Sequence, residues 1–388
     1  MEIGIDQIGM YSPHYYVDLA ELAQARDVDP NKFIIGIGQS QQAVAPSAED
    51  VVTMAAAAAS EFISKVDTSK IGMVIVGTET GIDASKSAAV IVQHLLELPE
   101  NMRTYEIKQA CYGGTAALMA ARDYVALHPD RTVLVIASDI ARYGLASGGE
   151  VTQGAGAVAM LVSAQPRILV LHDDSQFISR DIADFWRPVY TDMAIAMGKY
   201  SNEQYVQFFQ DVWANYKQAT GHDLADFAAI NFHLPYTKMG MKGLRTVLPD
   251  ADEATQNRLK VHYQIATNYS RRIGNIYTGS LYLGLMSLLD GADDLRAGDL
   301  LGMFSYGSGA VGEFFSMTLV DGYEKQLSPV DHEAFLDART KLSVADYEQM
   351  FLNKVPYSPA DYSTDPTAIT SRFRLTGVHD QQRQYVNQ

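Results

Sequence analysis

Short apolar runs rich in β-branched residues recur along the chain, at Ile71–Val76, Val133–Ala137, Val158–Val162, Ile168–Val170 and Leu300–Phe304. Each has strand length rather than helix length, which predicts buried β-strands. Between them, apolar residues return every three or four positions, most clearly over Lys86–Leu98 and Thr115–Leu127, which predicts helices with one apolar face. Strands alternating with helices imply a layered α/β body.

The two halves of the chain echo each other. Gly154-Ala-Gly-Ala-Val158 returns 153 residues later as Gly307-Ser-Gly-Ala-Val311, and each copy borders an apolar segment. The strand ending at Glu79 matches Ala229–His233, 154 residues on, and Tyr112-Gly-Gly-Thr115 matches Tyr277-Thr-Gly-Ser280, 165 residues on. Three matches in the same order predict a duplicated α/β unit, divided near Ser163–Arg167, where a proline follows a strand. The second unit is longer. Its surplus lies in an aromatic-rich stretch, Arg180–Asp226, and in a tail from Tyr323 that includes a helical pattern over His332–Leu342.

Composition narrows the class. The chain has 388 residues, 47% apolar and 20% charged, as expected of a folded protein with a large core. A net charge of −16 opposes binding to nucleic acid or to an anionic membrane, although a local pair such as Lys238 and Lys242 can still meet a pyrophosphate. One cysteine permits neither an internal disulfide nor a multi-thiolate metal site, and no metal is expected. The opening residues lack a signal-peptide pattern and no stretch approaches ~18 uninterrupted apolar residues, so a cytoplasmic protein is expected. No P-loop, HExxH or GxGxxG after a first strand is present, which leaves nucleotide hydrolysis, zinc proteolysis and hydride transfer without support.

Cys111 stands between a strand-like Arg103–Ile107 and a helix beginning near Gly113. A helix N-terminus stabilises a thiolate, so a lowered thiol pKa and a nucleophilic role are expected. Glu79, just past a buried strand, is placed either as a general acid or base with a raised pKa or as a rim residue capping the next helix. His233 ends the matching strand of the second half, while His94, His128 and His332 look like helix-surface or terminal residues. Asn275 opens a helix in the second half, either to orient a carbonyl or simply to cap. Gly307-Ser308-Gly309 offers backbone N–H groups for an oxyanion, or is a tight turn. Asp139, Asp184 and Asp192 show no ligand spacing.

Taken together, Gly-Thr-Glu79, Ala-Cys111-Tyr-Gly-Gly-Thr, Ala141-Arg-Tyr-Gly-Leu, Asp184-Phe-Trp-Arg-Pro188, Phe232-His-Leu-Pro-Tyr-Thr-Lys-Met-Gly240, Gly274-Asn-Ile-Tyr-Thr-Gly-Ser280 and Phe304-Ser-Tyr-Gly-Ser-Gly309 resemble the bacterial 3-hydroxy-3-methylglutaryl-coenzyme A synthase family of the thiolase superfamily. The resemblance runs from Met1 to about residue 350. It implies a duplicated five-layered α-β-α-β-α fold with halves at 1–165 and 166–388, a homodimer, and condensation of acetyl-CoA with acetoacetyl-CoA on the mevalonate route to isoprenoids. By position it implies Cys111 as acyl carrier, Glu79 as base, and His233 with Asn275 on the acetoacetyl ketone. The backbone amides of Cys111 and Ser308 would hold the acyl oxygen. Asp29, Tyr143, Thr152, Ser201, Lys238, Lys242 and Ser308 would contact the acyl-CoA, with CoA thioesters as substrates and no cofactor. A chain-initiating β-ketoacyl synthase also combines Cys, His and Asn on this fold, but decarboxylation makes its carbanion without a base such as Glu79. A catalytically silent scaffold member would not need the intact Cys, Glu and His set.

Overall fold

Each of those apolar runs falls within or overlaps a strand of one large sheet in the computed structural model, which describes residues 1–365 and 369–388. Numbered along the chain, the main-sheet strands are β1 (Ile3–Tyr11), β2 (Ile71–Gly77), β3 (Arg103–Ile107), β4 (Thr132–Ala141), β5 (Gly154–Ala164), β6 (Leu169–Leu171), β7 (Gln176–Ser179), β8 (Phe227–Phe232), β9 (Leu300–Gly307) and β10 (Val311–Leu319). The principal helices are α1 (Val51–Ser60), α2 (Ala88–Leu95), α3 (Gly113–Leu127), α4 (Gly198–Thr220), α5 (Met239–Leu244), α6 (Glu253–Ala266) and α7 (Ser280–Gly291).

Strand order is β8-β9-β10-β6-β1-β5-β4-β2-β3, with β7 added on β10. Outward from the β1–β6 junction the two arms repeat one pattern. A first strand meets a long antiparallel one, β5 or β10, which meets a parallel pair, β4 with β2 or β9 with β8. The junction is slight, pairing only Gly4 with Val170 and Ile5 with Leu169.

Alternation along the strands builds the layers, because successive side chains point to opposite faces. In the first arm Met73, Ile75, Val133, Val135, Val158 and Met160 share one core with α3 and α7, and that core also takes Leu301, Met303, Phe315 and Met317 from the second arm. The intervening Val74, Val76, Leu134, Ile136 and Leu161 pack outward with α1 and α2. On the far side Ile230, Phe232, Phe304 and Phe314 meet Phe208, Phe209, Val212 and Trp213 of α4. The result is the thiolase-like five-layered arrangement, in which the two arms of the sheet form two β-layers with helices between them and outside each. Helices α1 and α7 are apolar almost all round, and their burial on every side follows from that composition.

Three expectations need correction. The helix expected over Lys86–Leu98 is only Ala88–Leu95, because the Ser87 hydroxyl caps its start and the chain turns at Leu96. The pattern over His332–Leu342 divides: a helix spans Pro329–Asp337, and Thr340–Leu342 becomes a strand parallel to Tyr15–Val17. Arg339 enforces the break by stacking on Tyr16 and donating to Gln41 Oε1 at 2.7 Å. His332, expected at a helix surface, is buried at 4% exposure. Its Nδ1 lies 2.6 Å from Asp290 Oδ2, on α7, and its Nε2 lies 3.4 Å from Glu61 Oε2, just after α1.

Burial alone would push the His332 imidazole down, but Asp290 and Glu61 outweigh it and carry the group up to about 10. A histidine raised above its ordinary 6.5 contributes stability that is complete below pH 6.5 and is lost as pH rises through about 10. His332→Gln is expected to cost on the order of 3 kcal/mol at pH 6, because it leaves the buried Asp290 carboxylate without its charged partner. The gap in Tm between wild type and variant should close toward pH 10; a gap independent of pH would exclude the ionic clasp.

Candidate active site

The carboxyl ends of β2, β3, β8 and β9 deliver Glu79, Cys111, His233 and Ser308, and the loop leading into α7 delivers Asn275. Two glycines bring the units together. A side chain at Gly154, opening β5, would lie 2.6 Å from the Asn275 carbonyl, and one at Gly307 would lie 2.5 Å from Tyr112 N. The first glycine of each repeated motif thus admits the helix-start loop of the opposite half.

Cys111 Sγ donates to Glu79 Oε1 at 3.2 Å. Glu79 is 8% exposed; burial, then the neighbouring Asp139, push it up to about 8, against smaller downward pulls from Arg187 and the thiol. The raised carboxyl matches the expectation. The lowered thiol does not: loss of water raises the Cys111 pKa well above its ordinary value, and Glu79, Asp139 and Asp184 raise it further. Helix α3 starts only at Gly113, and a dipole that acts over one turn cannot offset three carboxylates. At rest Cys111 is a protonated thiol with a carboxyl group as its acceptor.

Asp139, at the end of β4 and fully buried, fixes this geometry. Its Oδ1 accepts from Thr78 Oγ1 (2.8 Å), Glu79 N (2.9 Å), Thr80 N (2.9 Å) and Thr80 Oγ1 (2.7 Å), and its Oδ2 accepts from Thr278 N at 3.1 Å and from the Thr278 hydroxyl. Asp184 does the same for the Ser308 loop, accepting from Gly309 N (2.8 Å), Tyr306 OH (2.8 Å) and Ser201 Oγ (3.2 Å). Ligand spacing was the wrong test for these two aspartates. The informative signal was a lone acid among apolar neighbours, as in Ile136-Ala-Ser-Asp139-Ile-Ala141 and Ile182-Ala-Asp184-Phe-Trp186.

His233 is 2% exposed, and burial without an ionic partner pushes it down to about 3, so its ring is neutral. Its backbone is pinned by Phe304 O (2.8 Å) and by the Tyr205 hydroxyl (2.7 Å). Asn275 does cap: its Oδ1 accepts from Tyr277 N (2.8 Å) and Ser280 Oγ (2.9 Å). That fixes the amide plane and leaves the NH₂ side toward Tyr143. Tyr143, Phe185 and Tyr277 form an edge-to-face cluster over the thiol and Glu79, with Arg187 close by; sequence reasoning had given Tyr277 and Arg187 no part in it.

The remaining residues lie further out. Lys238 and Lys242 are exposed one turn apart, and Lys242 Nζ donates to Tyr236 OH at 2.7 Å. Asp29 is exposed and accepts from Asn31 N at 2.9 Å, at the start of a segment whose Ile37 carbonyl meets Lys238 N at 3.2 Å. Thr152 is half-buried in a short turn, its hydroxyl given to Gly149 O at 2.9 Å. Among the described residues no group of three or more His, Cys, Asp or Glu is disposed to hold a metal.

A cysteine paired with a carboxyl group at strand ends of a duplicated five-layered body defines a thiolase-like, acyl-transferring condensing enzyme. The chain belongs to the hydroxymethylglutaryl-coenzyme A synthase family: residues 1–166 match the family's N-terminal model and residues 245–385 its C-terminal model. Hydroxymethylglutaryl-CoA synthase of Enterococcus faecalis is 51% identical over 388 residues, the whole of both chains. The polyketide biosynthesis 3-hydroxy-3-methylglutaryl-ACP synthase PksG of Bacillus subtilis is 32% identical, over 90% of this chain and 87% of that one. A crystal structure of an HMG-CoA synthase complexed with CoA superposes with a TM-score of 0.97 at 45% identity, covering 100% of each chain. MvaS in complex with 3-hydroxy-3-methylglutaryl coenzyme A superposes at 0.88 with 39% identity, over 100% of this chain and 99% of that one.

The electrostatics give a direct expectation for Glu79. Its carboxyl signal in ¹³C NMR should titrate near 8, fall toward the ordinary 4.5 in Asp139→Asn, which removes a like charge, and rise in Arg187→Gln. An ordinary midpoint in the wild type would overturn the assignment.

Proposed function

We propose that the chain condenses acetyl-CoA with acetoacetyl-CoA and water, giving 3-hydroxy-3-methylglutaryl-CoA and free CoA, as a step of the mevalonate route. What supports this most is the contact between Cys111 Sγ and Glu79 Oε1 at 3.2 Å, because a methyl group on an acetylated Cys111 would lie beside that carboxylate. Cys111 attacks the thioester carbon of acetyl-CoA; the bond to the CoA sulfur breaks, and the thiol proton leaves with that sulfur as free CoA. The acyl oxygen is held by the amides of Cys111 and Ser308. Glu79, once ionised, takes a proton from the acetyl methyl group.

The carbanion adds to the ketone carbon of acetoacetyl-CoA, and the alkoxide so formed receives the proton that Glu79 took from the methyl group. His233, neutral at working pH, donates a hydrogen bond to that oxygen together with the Asn275 amide rather than acting as a cation. Water then cleaves the Cys111 thioester, restoring the thiol and releasing a carboxylate. Lys238 and Lys242, exposed one turn apart, meet the CoA phosphates, while Asp29, Tyr143, Thr152, Ser201 and Ser308 line the path inward. CoA thioesters are substrates, and no separate cofactor enters.

The two units are assigned to residues 1–165 and 166–388. A homodimer formed through the β3 edge is favoured by that strand's outer side, which pairs with no strand among the described residues. A cytoplasmic setting is consistent with helices of which none, among the described residues, is long and apolar enough to cross a membrane.

Radiolabelled acetyl-CoA should acetylate the wild type and not Cys111→Ala; label retained by that variant would reject the scheme. Glu79→Ala should still be acetylated, since one of the charges that hold the thiol up is gone. It should lose condensation by roughly 10²–10⁴-fold, the usual worth of a general base. Condensation with malonyl thioester in preference to acetoacetyl-CoA would instead favour the decarboxylative alternative.

A further inference from the structure

The loop that carries Cys111 rests on the β9–β10 hairpin that presents the Ser308 amide, and one strong polar bond joins them. Gly307 lies flat against the loop, 2.5 Å from Tyr112 N and 2.6 Å from Gln109 O for any side chain placed there. Gln109 Nε2 reaches Ser308 O only at 3.5 Å. Tyr112, the neighbour of Cys111, donates its hydroxyl to Glu313 Oε2 at 2.5 Å.

Glu313 stands on β10 in register with Ser305 and is 3% exposed. It shares a face with Phe315, two residues on, which packs into the central helical layer. A carboxyl group there has left water and needs a specific partner. No step of the proposed reaction uses it. The turn it reaches is strained, since Ala110, immediately before Cys111, is held at φ 43°, in the left-handed region that costs a residue with a Cβ. Such a conformation persists only where surrounding contacts over-determine it.

We propose that Glu313 is a positioning residue for acyl transfer: through Tyr112 it holds the Cys111 turn at the spacing from the Ser308 amide that lets both halves of the chain bind one acyl oxygen. The inference rests on Cys111 being the acetylated residue. Oxyanion donors act through geometry, so a shift of the turn lowers the rate of acetyl transfer more than it weakens binding.

The test is the single-turnover rate of labelling by radioactive acetyl-CoA, with KM for acetyl-CoA and Tm, in Tyr112→Phe, Glu313→Ala, Glu313→Gln and the Tyr112→Phe/Glu313→Ala double variant. Each of the first two is expected to slow labelling roughly tenfold, the scale of one lost hydrogen bond to a carboxylate, with KM changed less than about twofold. Glu313→Gln, which still accepts from Tyr112, should stay within about threefold of wild type, and the double variant should be no slower than the slower single. Undiminished labelling in folded Tyr112→Phe, losses that multiply in the double variant, or a loss confined to KM would overturn the proposal. Should Glu313→Ala not fold, Tyr112→Phe against Glu313→Gln still decides it. Absence of labelling in the wild type would sink the functional reading instead, so the two failures are distinct.

Discussion

A single buried carboxylate, Asp139, holds the catalytic region in one piece. One of its oxygens gathers the backbone and hydroxyls that follow β2, and the other reaches Thr278 in the opposite half. A carboxylate this deep is tolerated only because donors surround it, and every donor is a group whose position matters for Glu79 or Asn275. The sheets and the three helical layers bring those loops within range. Asp139 converts proximity into fixed geometry.

The same carboxylate contributes to a field that sets protonation. Glu79, Asp139 and Asp184 act together on a poorly hydrated Cys111, and the proton stays on sulfur until an acyl donor arrives. In the proposed reaction, acylation would remove the thiol from that field and leave Glu79 facing a neutral thioester. A neutral His233 fits this setting, for a cation there would pair with the nearest carboxylate and hold the base out of use. One small region thus suits both steps of the proposed reaction, nucleophilic attack and then proton abstraction.

Much of this was legible in the residues. The apolar runs located the central strands, the echoing Gly-x-Gly motifs identified the repeat, and Glu79, Cys111 and His233 were visible as reactive types at strand ends. What the pattern concealed has physical reasons. Strand β1 carries Asp6 and Gln7 within a buried run; they are tolerated because Arg167 grips Asp6 at 2.7 Å and Gln7 pairs with Gln326, contacts that local reading cannot supply. Helix α4 is polar on its outer face and aromatic on its inner one, so the segment read as merely aromatic-rich. The thiol's protonation depended on charges drawn from distant positions, Glu79, Asp139 and Asp184, and a rule based on local helix position pointed the wrong way.

The reciprocal glycines have a consequence for how such a chain can change over time. Gly154 makes room for a loop of the second half, and Gly307 makes room for a loop of the first. Neither half therefore owns a complete site, and any drift that thickens the backbone contact in one must be matched in the other. A side chain at either glycine would displace a loop that the other half contributes, so damage at one position reaches both halves of the site.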